Sequence, residues 1–362
     1  MPRDLPLRSL DADELAELRQ TVRHVASGCD YPSAVRVLEG SAAGVDAELW
    51  RVLSQDIGLA GVGLPEGSGG LGGLVEILAV AEELGAALAP VPFLTSTVLT
   101  GQVLAGVGST AEPYLERIAA GAIASMAITD GRGAWVPGSV ACTSSGSTVS
   151  GEVRFVPHGA SAEVLVVAAR TAAGIDLFAV EAAAARVTPL AALDFSRPMA
   201  SVAFDGAHAV ALTSDGLAQG PIDAGVDIAL LAIAADQLGG AQYCFDSTLE
   251  YIKMRRQFNR EIGSFQAIKH RMADALMLVE MLRSGIDKAC AGDAEAQDPS
   301  VIKAWGSDAY VAMSAEAIQL HGGVGFTWEH DAHLYFRRAR FDAAFLGDAA
   351  FHRERVATLL AW

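Results

Sequence analysis

Three stretches carry residues whose types and spacing could do chemistry. The first is YIKMRRQFNREIGSFQAIKHRMAD, Tyr251 to Asp274. A helix ending in adjacent arginines meets a turn, and Phe265-Gln266 opens another helix. Arg255 or Arg256 could grip a pyrophosphate through its forked guanidinium, with Gln257 hydrogen-bonding beside it. Phe258 could pack on a ring, although a charged helix end with Phe258 and Phe265 buried has the same pattern. The second is FRRARFDAAFLGDAAFHR, residues 336–353. Arg337, Arg338 and Arg340 lead into a run whose only acids before Arg353 are Asp342 and Asp348, with Leu346 directly before Gly347. The third is Trp328 to His333. On a helix His330 and His333 share a face, a spacing that could hold a metal. The Gly-rich turn before them and the arginines after them favour a solvated, charge-paired helix start, and no metal is expected.

Other patterns point nowhere specific. Gly67-Ser68-Gly69-Gly70-Leu71-Gly72 matches GxGxxG as text. About 20 residues on, where a dinucleotide fold wants an acid for the ribose, stands Ala89-Pro90-Val91-Pro92-Phe93. The glycines read as a flexible interhelical loop. There is no GxSxG elbow for a hydrolase. Cys29, Cys142, Cys244 and Cys290 are scattered, with no CxxC pair, and read as buried free thiols.

These candidates need elements to hold them. The 362 residues allow two or three packed units, and 51% are hydrophobic. Acid outnumbers base 43 to 26, for a net charge of −17, which argues against nucleic acid as the main ligand. No apolar run reaches the roughly 20 residues of a membrane span, and the charged N-terminus lacks a secretory core. A cytoplasmic protein is expected. Helices are predicted over Asp11–Val25 with Asp11 as N-cap, Ala47–Ile57, and Leu74–Leu84 with Gly85 as its stop. Short strands follow at Met126–Thr129, Val149–Val156, Glu163–Ala168, Asp176–Val180 and Met199–Phe204, which indicates an antiparallel β unit. Helices return at Ile222–Arg256, Phe265–Ala289 and Ser300–Leu320. The order is helices, strands, helices, an α+β arrangement with boundaries expected at 1–122, 123–215 and 216–362.

Taken together, the motifs resemble the acyl-CoA dehydrogenase family. Arg255-Arg256-Gln257-Phe258-Asn259 and Ile262-Gly263-Ser264-Phe265-Gln266 are similar to its R-x-Q/T-F-G and I-x-x-F-Q segments. Gln319-Leu320-His321-Gly322-Gly323-Val324-Gly325-Phe326 is similar to Q-x-x-G-G-x-G-[FY], and Leu64-Pro65-Glu66 with Glu82-Glu83-Leu84-Gly85 to its early motifs. The resemblance covers nearly the whole chain. It implies an N-terminal helical domain, a middle β domain and a C-terminal four-helix bundle. It also implies FAD, an acyl-CoA substrate and an electron-transfer flavoprotein as acceptor. FAD sites in this family are shared between subunits, which assigns Arg255, Gln257, Phe258, Gln266, Gln319, Gly322 and Gly323 to one half. The other half would use Thr129 and Phe155, but it departs from the pattern. Thr129-Asp130-Gly131-Arg132-Gly133 stands where T-E-P-x-x-G-S-D is expected, and Gly151 to Pro157 ends in proline where Thr or Ser is usual. The catalytic glutamate is absent from both family positions, which fall on Leu346 and Ala229. Asp348 lies two residues away and is shorter, a weak substitute. The chain therefore resembles the base-less subunits of heterotetrameric actinobacterial acyl-CoA dehydrogenases of sterol side-chain degradation. A second, base-bearing subunit in an α2β2 assembly is expected. Small residues such as Ala229 and Gly239 suggest room for the acyl chain.

Overall fold

A computed structural model describes residues 10–27, 31–41 and 43–362; Cys29 lies outside them. The chain opens with α1 (Ala12–Ser27), α2 (Tyr31–Val37) and α3 (Ala47–Arg51). Asp11 caps α1 as its sequence suggests. Its Oδ1 accepts from the amides of Asp13 and Glu14, and the Glu14 carboxylate accepts from the Asp11 amide, a reciprocal capping box. The helix predicted over Ala47–Ile57 closes early, because Val52–Asp56 widens into a π turn.

The next helix, α4 (Leu74–Ala86), is apolar on most of its circumference because it is wedged between others. Gly85 does not stop it. A Cβ there would meet the backbone of Asp236 at 2.3 Å, and one at Gly239 would meet the Glu82 carbonyl at 1.9 Å. These two glycines let the backbones of two helices touch. A π turn, Phe93–Thr100, then runs into α5 (Gly101–Ala105), and α6 (Glu112–Ala119) follows. The glycine loop 67–72 is folded back on its approach: Gly63 and Leu71 exchange backbone hydrogen bonds with Leu71 and Gly61 at 2.8 and 3.0 Å.

Eight strands come next: β1 (Ala124–Ala127), β2 (Cys142–Ser145), β3 (Thr148–Pro157), β4 (Val164–Arg170), β5 (Ile175–Glu181), β6 (Arg186–Leu190), β7 (Met199–His208) and β8 (Val210–Ala211). They form one sheet in the order β6-β7-β3-β2-β4-β5-β8, with β1 beside β4. Most pairs are antiparallel, but β1 and β2 both run parallel to β4. The chain crosses over between them, a connection that local strand patterns do not reveal. The run Val164–Ala169 is buried on both faces. Val164, Val166 and Ala168 join the helical core, whereas Leu165, Val167 and Ala169 join a second core on the far side. A register shift between Val153 and Val156 on β3 leaves Phe155 in a bulge at φ +59°.

The remainder is helical: α7 (Gln219–Met254), α8 (Gln266–Cys290), α9 (Asp298–His321), α10 (Ala332–Ala344) and α11 (Ala349–Leu359). A two-residue hairpin, β9 (Arg256–Gln257) and β10 (Arg260–Glu261), joins α7 to α8. By length and hydropathy α7 could cross a membrane, but 89% of its most apolar window is buried inside the protein. It is the central core helix, packed on α4 and α9. The fourth position of the bundle is shared by α10 and α11, broken at Leu346 (φ +57°) and Gly347 (φ +112°).

Candidate functional site

Two regions matter, one open and one closed. The open region is an end of the bundle where α7 and α9 finish side by side. The Tyr251 ring stacks on that of His321 at 4.4 Å, and its hydroxyl donates to the His321 carbonyl at 3.3 Å. Just beyond Tyr251, Arg255 leaves the helix; just beyond His321 come Gly322 and Gly323. Gln319 precedes them on α9, and Gln266 begins α8. The structure thus gathers six of the seven residues assigned to this half around the end of α7 and α9 and the start of α8. Arg255, Gln257, Gln266 and Gln319 are exposed, with no side-chain partner among the described residues. Gly322 needs its glycine for φ +66°, but a Cβ at Gly323 would meet nothing within 4 Å. An unneeded glycine beside an uncommitted arginine leaves space for a bulky anion.

The seventh residue, Phe258, sits at the tip of the hairpin and is 87% exposed. Phe258 and Asn259 both have left-handed backbone, φ +54° and +62°, the pair of angles that a two-residue hairpin turn requires. The alternative reading, a charged helix end with Phe258 buried, is excluded by this exposure. A left-handed conformation costs a non-glycine residue roughly 1–2 kcal/mol. The fold therefore holds a strained phenylalanine out in solvent.

The closed region surrounds Leu346. Its side chain is 1% exposed, and its amide donates to the Gly133 carbonyl at 3.1 Å. Gly133 belongs to the loop after β1 and lies against Phe155. Thr129, at the root of that loop, turns its hydroxyl inward to the Arg154 carbonyl at 2.6 Å. Trp135, at the far end, donates its indole N–H to Asp223 Oδ1 on α7 at 2.6 Å. Trp135, Asp223, Leu230 and Leu346 help wall a cavity of about 370 Å³. The structure thus brings Thr129, Phe155 and Leu346, from three different parts of the chain, around one loop, 129–135.

The other candidate acids are committed elsewhere. Asp348 caps α11, accepting from the Phe351 amide at 2.8 Å, and is exposed. Asp342 is buried; burial and the nearby Asp236 push its carboxyl well above the usual range. Ala229 is buried on α7 and offers no room to a ligand, and neither does Gly239, whose space the α4 backbone fills. Under the break between α10 and α11, Lys303 donates to Ser307 Oγ at 3.0 Å and to the Gly347 carbonyl at 3.4 Å. Burial brings its amine down to about 8.

Sequence reasoning missed a buried charge network. Arg338 bonds Asp194 at 2.6 Å, Ser196 Oγ at 2.5 Å and both oxygens of Asp236 at 3.2 and 3.3 Å. Arg197 adds a contact to Asp236 at 2.9 Å. Burial alone would raise the Asp194 carboxyl, but Arg338 and Arg197 outweigh it and hold it below its usual value. The Trp328–His333 segment is likewise occupied. Trp328 stacks on His333 at 5.0 Å, His330 packs on His321 at 4.5 Å and Asp331 pairs with Arg36 at 2.7 Å. Cys142 and Cys244 are buried and Cys290 half-buried, and burial pushes the Cys142 thiol up to about 12.

Comparisons with known proteins agree with this arrangement. Residues 12–122 match the family model for the acyl-CoA dehydrogenase N-terminal domain, and residues 224–360 that for the C-terminal domain. The acyl-CoA dehydrogenase IpdE2 of Mycolicibacterium smegmatis is 36% identical over 338 residues, covering 93% of this chain and 95% of that protein. A protein of the same name from Mycobacterium tuberculosis is 32% identical, covering 92% and 93%. Among solved structures, the ChsE4-ChsE5 complex from Mycobacterium tuberculosis superposes with a TM-score of 0.86 at 29% identity, covering 96% of this chain and 97% of the matched one. A variant of the Tcur3481-Tcur3483 steroid ACAD has the same TM-score and identity, covering 96% and 98%.

Proposed function

The chain belongs to the acyl-CoA dehydrogenase family of FAD-dependent oxidoreductases, and from that premise we propose that it is the base-less subunit of a heteromeric enzyme that dehydrogenates a CoA thioester. The observation that carries this reading is the asymmetry of its two half-sites. The bundle end is open, with a free arginine, two free glycines and an exposed Phe258. The base position is apolar, buried and bonded to the loop above it. A chain built this way can complete a partner's cofactor site but cannot run the reaction in its own.

FAD, when bound, supplies the hydride acceptor. The chain's part would be to hold it. Arg255 suits a pyrophosphate, as a forked cation with no competing acid partner among the described residues. Gly322 and Gly323 let a ligand approach the backbone, and Gln257, Gln266 and Gln319 offer hydrogen bonds at the rim. Removal of the weakly acidic α-proton requires a carboxylate beside the substrate. The partner would supply it. A self-sufficient enzyme would need one here, but Asp348 is a helix cap and Asp223 is held by Trp135.

Two related solved structures support the assembly: one is a complex of two named chains and the other is described as a steroid ACAD. We extend both features to this chain, with a steroid-derived CoA ester as substrate and an electron-transfer flavoprotein as acceptor. Co-expression with a base-bearing family member should give a yellow heteromer active on such esters, whereas the chain alone should be colourless and inert. A flavin-loaded homotetramer that turns over acyl-CoA refutes the reading.

A further inference from the structure

We propose that Trp135, clasped by Asp223, is a plug that shuts this chain's own flavin-and-base half, so that its silence does not depend on the missing glutamate alone. The inference rests on the subunit reading above and deepens it. Its ground is one loop and the six contacts that hold it. The loop is closed on itself: the Asp130 amide donates to the Ala134 carbonyl at 2.8 Å, and Asp130 Oδ1 accepts from the amides of Arg132 and Ala134 at 2.8 and 3.0 Å. Thr129 and Trp135 form a β-bridge at its neck. Outward, it is fastened twice. Gly133 accepts from the Leu346 amide at 3.1 Å, and Trp135 donates to Asp223 at 2.6 Å.

The clasp satisfies both of its members. A buried indole N–H without an acceptor is costly, and a carboxylate in a cavity wall needs a donor. Opening the loop without water to replace the bond would leave the indole N–H unpaired, while Asp223 would keep Gln219 Nε2 at 3.4 Å. Leu346, Leu230 and Val226 line the same cavity as the indole, with Gln219, His352 and Arg355 as further polar lining. A glutamate restored at 346 would lie beneath a closed lid, walled off from any flavin.

The test uses the full-length chain and FAD, with retained flavin measured after desalting. Leu346→Glu alone should keep no more flavin than the wild type and should melt lower. Trp135→Gly, which removes the plug, and Asp223→Leu, which releases it, should each bind FAD at least tenfold more tightly than the wild type. The two variants act on different elements, so misfolding of one leaves the other informative, and circular dichroism identifies which is folded. Flavin retained by Leu346→Glu with Trp135 in place overturns the proposal, as does a folded Trp135→Gly or Asp223→Leu that binds no better than the wild type. Stoichiometric flavin and turnover in the wild-type chain alone would instead remove the subunit reading on which the plug rests, so the two failures are distinguishable.

Discussion

Replacing Arg338 with methionine should strip the buried network of the cation that ties three parts of the chain together. Arg338 lies on α10 and is 0% exposed; Asp194 and Ser196 come from the loop between β6 and β7, and Asp236 from α7. The loss falls unevenly. Asp236 keeps Arg197 at 2.9 Å, whereas Asp194 keeps only the amide and hydroxyl of Ser196 at 2.9 and 2.6 Å. Asp194 thus becomes a buried carboxylate with no cation bonded to it, and only the nearby Arg197 partly offsets its charge. Breaking such a pair from one side costs about 3–5 kcal/mol, so the melting temperature of a chain this long should fall by about 4–7 °C. The pH dependence has a definite sign. In the wild type Asp194 is held below its usual value, so its contribution is full above the unfolded pKa and is lost as acid protonates it. Without Arg338, burial raises that carboxyl instead. The penalty is then greatest near neutrality and shrinks as pH falls toward 4. The double variant Arg338→Met with Asp194→Leu should recover most of the loss, since neither charge remains to be desolvated. Calorimetry at pH 7.5 and 4.5 separates these outcomes. A single variant that melts within 1–2 °C of the wild type at pH 7.5, or whose deficit grows in acid, refutes the reasoning.

Three further outcomes are expected. Gly239→Ala would drive a methyl into the Glu82 carbonyl, now 1.9 Å from the Cβ position, and should cost about 1–3 kcal/mol by forcing α4 and α7 apart; an unchanged urea midpoint would show the helices to be less tightly seated. Phe258→Gly relieves a left-handed residue, so the isolated chain should be no less stable, while its complex with a base-bearing partner should lose FAD more readily on dilution; undiminished flavin retention would exclude Phe258 from the cofactor contact. Burial lowers Lys303 to about 8, so a proton bound in the unfolded chain is shed on folding between pH 8 and the usual lysine value, and stability from this group rises with pH across that window. Lys303→Met should therefore melt above the wild type at pH 7, with the gap closing toward pH 10; a constant gap would mean the amine does not titrate there.

What the sequence made legible follows from how each feature is encoded. Hydrophobic periodicity and the Asp11-x-x-Glu14 box are local signals, so α1, α4, α7, α8 and α9 could be read within a few residues of their ends. The parallel pairing of β1 and β2 with β4 is a matter of chain crossover, to which no local residue testifies. Glycines were ambiguous for a similar reason. Gly85 follows an apolar run and looks like a terminator, but its role lies across a helix interface against Asp236. Gly239 looked like room for substrate and is instead the matching half of that contact. The residues proposed for the FAD half could be singled out together because they cluster in two segments, 255–266 and 319–323. Trp135 and Asp223 lie 88 residues apart, and neither resembles a motif.

On the proposed base-less reading, the backbone around Leu346 bears on why a catalytic frame would outlast its chemistry. Leu346 sits at φ +57° and Gly347 at φ +112°, a strained corner for a leucine that carries no reactive group. The corner persists because other groups need it. It breaks α10 from α11, it presents the Leu346 amide to Gly133 and it turns the Gly347 carbonyl toward the buried Lys303. Asp348, next in line, caps the helix that follows. A side chain can be exchanged at the cost of its own contacts, whereas the corner is tied into four elements and would have to be rebuilt as a unit. Loss of a glutamate is then a small structural event and loss of the turn a large one. The same logic protects the bundle end, where the hairpin that strains Phe258 also sets the exit of α7 and the entry of α8. A subunit can lose its own reaction while keeping every backbone feature its partner's cofactor would rest on.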